Sequence, residues 1–123
     1  MKSWLAVAVG ASVGAWIRWG LSVSLNGVGV IPLGTFLANA IGGLLMGVAL
    51  GILQSVPNLS PEWRLLMTTG FLGGLTTFST FSAEAFTLMQ KQNYGWAVLH
   101  ISSHVIVSIV LTMIGYWCVL RWQ

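Results

Sequence analysis

His100, His104, Ser108 and Thr112 follow one another at four-residue intervals inside an otherwise apolar run. On a helix that interval keeps them on one face, as a stripe about 18 Å long that covers most of a bilayer core. A polar group in hydrocarbon is costly unless it meets a partner or a wet cavity, so four aligned ones favour a permeation path. Two histidines one turn apart also suit a metal. Their own face, however, carries no cysteine, carboxylate or third histidine, which argues against zinc.

The densest string runs from Gly70 to Glu84: Gly-Phe-Leu-Gly-Gly-Leu-Thr-Thr-Phe-Ser-Thr-Phe-Ser-Ala-Glu. Adjacent glycines ahead of a Thr and Ser cluster make a poor uninterrupted helix, so a break is expected around Gly73 to Thr77. A break frees carbonyls and amides that lipid cannot satisfy. Carbonyls from two antiparallel copies would converge on one cation at the two-fold axis; small residues packed with water account for the same string without an ion.

Phe78 and Phe81 share a helical face, with the hydroxyls of Ser79 and Thr80 between them. Phenylalanine in a span commonly faces lipid. The alternative uses the positive ring edge, which together with hydroxyl and amide donors would hold a small anion. Asn39, one turn after Thr35, offers such an amide, or else glue between helices. Arg18 ends a face made by Ala6, Gly10 and Gly14; it either snorkels to the interface or draws anions into a vestibule. Glu84 is the only acid well inside a span and is read as a helix or vestibule contact.

These residues need elements that cross a membrane. The 123 residues include five Lys or Arg and two Asp or Glu, 56% are hydrophobic, and the mean hydropathy is +0.86, so lipid must be the solvent. Breakers at Asn26-Gly27-Val28-Gly29, Pro57-Asn58-Leu59-Ser60-Pro61 and Lys91-Gln92-Asn93 divide the chain into spans near 3–25, 31–54, 63–90 and 94–120. The expectation is an all-α membrane protein, one transmembrane domain over 1–123 with four helices and a broken third. Met1-Lys2 before apolar residues has the look of a signal peptide, but no polar domain follows, so it is read as the start of a retained first span. Ser60 with Pro61 and Glu62 marks a helix start.

The net charge is +3, yet Lys2, Arg18, Arg64, Lys91 and Arg121 stand singly, which excludes a nucleic-acid surface. Cys118 has no partner in the chain for a disulfide. Four spans put Lys2, Arg64 and Arg121 on one side of the membrane, and Arg18 and Lys91 on the other. Three against two is almost no topological bias. It fits insertion in both orientations and an antiparallel homodimer, as well as one fixed topology with a weak signal. Gly10 and Gly14, then Gly43, Gly47 and Gly51, at four-residue spacing, mark close helix contacts.

The chain resembles the small bacterial fluoride channels called Fluc or CrcB proteins, essentially from end to end. The resemblance rests on Gly10, Gly14 and Arg18, on Pro32-Leu33-Gly34-Thr35 with Asn39 and Gly42, and above all on Gly73 to Glu84. It implies a dual-topology antiparallel homodimer in the bacterial cytoplasmic (inner) membrane, with two fluoride pores. It implies a structural sodium ion at the dimer centre, held by the backbone carbonyls of Gly73 and Thr76. Phe78, Phe81 and Asn39 would line the path beside the hydroxyls of Ser79 and Thr80, with His104, Ser108 and Thr112 continuing it and Arg18 in an aqueous vestibule. Leu44, where many relatives carry an aromatic, and His100, at a variable position, depart from the pattern.

Fluoride is compact and strongly hydrated, so a dehydrating pore needs closely spaced donors, whereas a fixed positive charge at its narrowest point would trap the ion. The sequence carries no nucleotide-binding motif, intramembrane acid pair or catalytic constellation, so passive flow is expected and not an enzyme. A proton-coupled small multidrug exporter would need an acid in the first span, which holds Arg18 instead. A non-transporting scaffold subunit would have no use for the stripe or the phenylalanine pair.

Overall fold

A computed structural model describes residues 2–122, all of whose regular structure is helical. Helix α1 is Ser3–Leu25, α2 Leu33–Ser55, α3 Pro61–Leu65, α4 Gly73–Leu75, α5 Phe78–Gln90 and α6 Tyr94–Arg121, with a π-helical stretch Leu66–Leu72 between α3 and α4. Helices α1, α2 and α6 are each long and apolar enough to cross a membrane unaided. Their outward residues are apolar, among them Val9, Ile17, Ile41, Ile106 and Ile109, so the surface calls for lipid and this is a membrane protein. Most of the exposed tryptophans lie towards the helix ends: Trp4, Trp63, Trp117 and Trp122 at one, Trp19 and Trp96 at the other, while Trp16 sits near the middle of α1. At those ends their amphipathic rings suit the headgroup layer.

Local chemistry sets the boundaries. The third stretch starts at Pro61 rather than 63, because Pro61 occupies a first-turn position that needs no N–H and Ser60 Oγ accepts the Trp63 N–H at 3.5 Å. Helix α2 starts at Leu33, behind Pro32 in extended conformation. Its cap comes from outside the helix: Asn26, just past α1, accepts the Thr35 N–H at 3.1 Å. Within the π-helical stretch the Thr68 hydroxyl donates to the Arg64 carbonyl at 2.8 Å, a carbonyl that a regular helix leaves to the Thr68 amide. At Thr76 and Thr77 the backbone turns extended, with ψ of 154° and 116°, and helical geometry resumes at Phe78.

Two close seams hold the elements together. Helix α2 lies along α6, and α1 lies along residues 61–75. At Gly47 an added Cβ would stand 1.9 Å from the Thr112 carbonyl oxygen, and at Gly14 2.1 Å from that of Phe71, so both seams need a bare backbone.

Candidate functional site

Between α2, the Thr76–Thr77 turn, α5 and α6 lies an open groove of about 370 Å³. Asn39, Thr76, Thr77, Phe78, Phe81, His104, Ser108 and Thr112 line it, with Gly42 and Gly43 at its floor and no Lys, Arg, Asp or Glu among its lining residues. The α2–α6 seam explains how polar positions on two helices share one wall: Gly43 lets α2 approach the Ser108 backbone, and the Thr112 hydroxyl donates to the Gly43 carbonyl at 2.9 Å.

Asn39 stitches the turn. Its Oδ1 accepts the Thr77 N–H at 2.8 Å and its Nδ2 donates to the Thr77 carbonyl at 3.2 Å, so the side-chain amide stands in for the missing helical partners of that peptide. Nδ2 also lies 3.1 Å from His104 Nδ1. Both amide hydrogens are therefore engaged inside the chain, and the glue role open at the sequence level is the one this geometry fills.

The rerouting strands two carbonyls. A continuous helix would bond Thr77 N to Gly73 O and Thr80 N to Thr76 O. Here Thr77 N goes to Asn39, and Thr80 N goes to Thr77 Oγ1 at 3.1 Å, which caps α5. Gly73 O and Thr76 O thus lose their helical donors, and Gly73 is exposed.

The aromatic wall is graded. Phe78 is 79% exposed and Phe81 8% on the single chain, their ring centroids 5.4 Å apart and their planes tilted by 47°. Behind them Phe81 stacks on His100 at 5.2 Å and 21°, and Phe36 meets His104 edge-on at 5.3 Å. Ser108 has a hydroxyl that makes no hydrogen bond to another described residue, while those of Thr76 and Thr112 donate to backbone carbonyls.

The structure thus gathers Asn39, Phe78, Phe81, His104, Ser108 and Thr112 around one groove. Ser79 and Thr80 lie in the first turn of α5 beside it: the Ser79 hydroxyl is 3.4 Å from Thr77 Oγ1, and Thr80 supplies the capped amide. Arg18 directs its Nε to the Gly74 carbonyl at 3.0 Å, an inward hydrogen bond rather than a snorkelled end. His100, nominally the first member of the stripe, is 0% exposed and lies behind Phe81, with Nε2 3.3 Å from the Phe81 carbonyl oxygen.

Glu84 changes the reading of the histidines. The absence of a carboxylate from their own helix face does not keep one away, because α5 brings Glu84 Oε2 to 3.6 Å from His100 Nε2. Its Oε1 accepts the Thr35 hydroxyl at 2.5 Å, and Thr35 Oγ1 accepts from Asn26 Nδ2 at 3.1 Å. Asn26 and Thr35 carry this network. Asn26 reads in sequence only as a helix breaker, and no local signal ties it to Glu84.

Fold and site together define a helical membrane protein whose apolar bundle carries an open, aromatic-walled groove dotted with polar groups and lined by no Asp, Glu, Lys or Arg. Residues 5–116 match the family described as "CrcB-like protein, Camphor Resistance (CrcB)", and the chain belongs to that family. It is 54% identical over 114 residues to "Fluoride-specific ion channel FluC" of Cupriavidus pinatubonensis, covering 92% of this chain and 90% of that one. A protein of the same name from Aromatoleum aromaticum is 50% identical over 124 residues, 100% of this chain and 95% of its own, and one from Pseudomonas putida 53% over 116, 94% and 91%. These relatives are named as channels, not as enzymes.

Proposed function

We propose that this chain is one half of a fluoride-selective channel, an antiparallel homodimer in the bacterial cytoplasmic membrane that lets fluoride leave the cell passively and so confers resistance to it. The observation that carries the reading is the groove: Phe78, Phe81 and the unengaged Ser108 hydroxyl face one path at membrane depth, with no permanent charge along it. The names of the relatives supply the ion.

A dehydrating anion needs donors that are close and not too strong. Ser108 offers an O–H, and Phe78 and Phe81 offer positive ring edges, each weaker than an ammonium, so the ion is held without being trapped. The remaining polar wall is already satisfied. Asn39, Thr112 and Thr76 hold the backbone that shapes the path, and fixed dipoles need no rearrangement as the ion passes. Arg18, bonded to the Gly74 carbonyl, stands outside the lining and acts on the anion as a vestibule charge at longer range.

The groove is open along the exposed side of Phe78, and a second, inverted copy laid there would close it. In that assembly the four-helix chain is a single transmembrane unit, residues 61–90 act as one discontinuous third span, and Ser79 and Thr80 supply hydroxyls at the junction. The orphaned carbonyls of Gly73 and Thr76 fit a sodium ion at the centre: they are hard, neutral oxygen donors freed from helical pairing, and two copies would supply a symmetric set. Such an ion would fix the two breaks against each other.

Reconstitution tests the function. Potassium-loaded liposomes carrying the purified dimer should release fluoride on addition of valinomycin and retain chloride. A folded, dimeric preparation that releases no fluoride overturns the reading.

A further inference from the structure

Behind the groove, Glu84, His100 and His104 each bring one nitrogen or oxygen to within 4.8 Å of those of the other two, a spacing that invites a metal ion. Three buried atoms there, Glu84 Oε2, His100 Nδ1 and His104 Nε2, make no hydrogen bond to another described residue. What they accept depends on where each histidine keeps its proton, and the backbone answers that.

Asn39 cannot be turned over. The Thr77 N–H demands an oxygen at Oδ1 and the Thr77 carbonyl demands a donor at Nδ2, so backbone groups of fixed polarity orient the amide from both sides. The second Nδ2 hydrogen then meets His104 Nδ1 at 3.1 Å, which must be a lone pair. In the neutral ring the proton therefore sits on Nε2, the atom buried at the cluster. His100 follows the same logic, because its Nε2 faces the Phe81 carbonyl oxygen at 3.3 Å and so carries the hydrogen, leaving a lone pair on Nδ1.

We propose that Asn39 is a positioning residue for the proton of His104: it holds the neutral ring as the Nε2–H tautomer, so that His104 gives the groove no N–H, presents a hydrogen to the Glu84–His100 cluster, and leaves that cluster closed to metal ions. Of the three buried atoms, His104 Nε2 then carries a hydrogen while His100 Nδ1 and Glu84 Oε2 carry lone pairs, and His100 Nε2, 3.6 Å from Glu84 Oε2, carries a second hydrogen. A metal would need the lone pair of His104 Nε2, and to supply it Nδ1 would have to carry a hydrogen against the Asn39 Nδ2–H. That argument does not refer to the transported ion, so this inference stands apart from the proposed function.

The test is nitrogen-15 spectroscopy of histidine-labelled protein in lipid bilayers at neutral pH, where protonated and bare ring nitrogens resolve. Both rings should show a bare Nδ1 and a protonated Nε2, and adding zinc should move neither. A protonated Nδ1 on His104, or a saturable zinc shift on the two rings, overturns the proposal. Asn39→Asp keeps the acceptor for the Thr77 N–H but has no N–H to give; the His104 proton should move to Nδ1, and zinc should then bind. A folded Asn39→Asp protein that keeps the wild-type tautomer overturns the role given to Asn39, and should that variant not fold, the wild-type spectra decide by themselves.

Discussion

At the scale of single residues, the groove divides polar groups that hold the protein from one whose hydroxyl is unengaged among the described residues. Asn39, Thr76 and Thr112 spend their hydrogens on backbone carbonyls or on His104, whereas the Ser108 hydroxyl has no partner among the described residues. Replacing Ser108 with Ala should therefore leave the melting temperature close to wild type while slowing fluoride flux by about tenfold or more, the equivalent of one hydrogen bond to an ion at about 1.5–3 kcal/mol. Liposome flux and a thermal melt on the same preparation check both halves of the expectation. An equal flux would remove Ser108 from the path. The types and periodicity of the α6 stripe marked Ser108 and Thr112 out together, but only the distance from Thr112 Oγ1 to Gly43 O separates their duties.

At the scale of elements, the groove exists because backbones touch. The α2–α6 seam requires hydrogen at the Gly47 position, where a Cβ would be driven into the Thr112 carbonyl oxygen at 1.9 Å, backbone that cannot step aside. Gly47→Ala should cost roughly the 1–3 kcal/mol typical of overpacking, or more, and shift the protein to aggregates on gel filtration. Gly20→Ala, with nothing within 4 Å of the new methyl, is the control and should run as wild type. The four-residue glycine spacing made such seams legible in the sequence. Which helix each glycine meets was not, since periodicity reports a face and not its partner.

At the scale of the whole molecule, a half-open groove and near-balanced charge fit the proposed second copy laid antiparallel. A reporter fused to the C-terminus should give signal from both sides of the membrane, because three basic residues against two give almost no topological bias. Signal from one compartment alone would rule out the inverted pair and, with it, the closed pore and the shared cation site.

Three of the spans, the helix start at Ser60 and Pro61, and the weakness of helical continuity at Gly73 to Thr77 could be read from the chain alone, because hydrophobic run length, capping chemistry and glycine content act locally. The alignment of His104, Ser108 and Thr112 was legible for the same reason, as residues four apart on one helix share a face, whereas the burial of His100 behind Phe81 was not. Only the tertiary structure decided that Asn39 serves the backbone at Thr77, that Glu84 stands beside the histidines, and that Asn26 and Thr35 hold Glu84 in place. Those partners lie on different helices, and hydrogen bonds between distant segments depend on the rotation and depth of each helix, which small-residue packing sets and which no local pattern encodes.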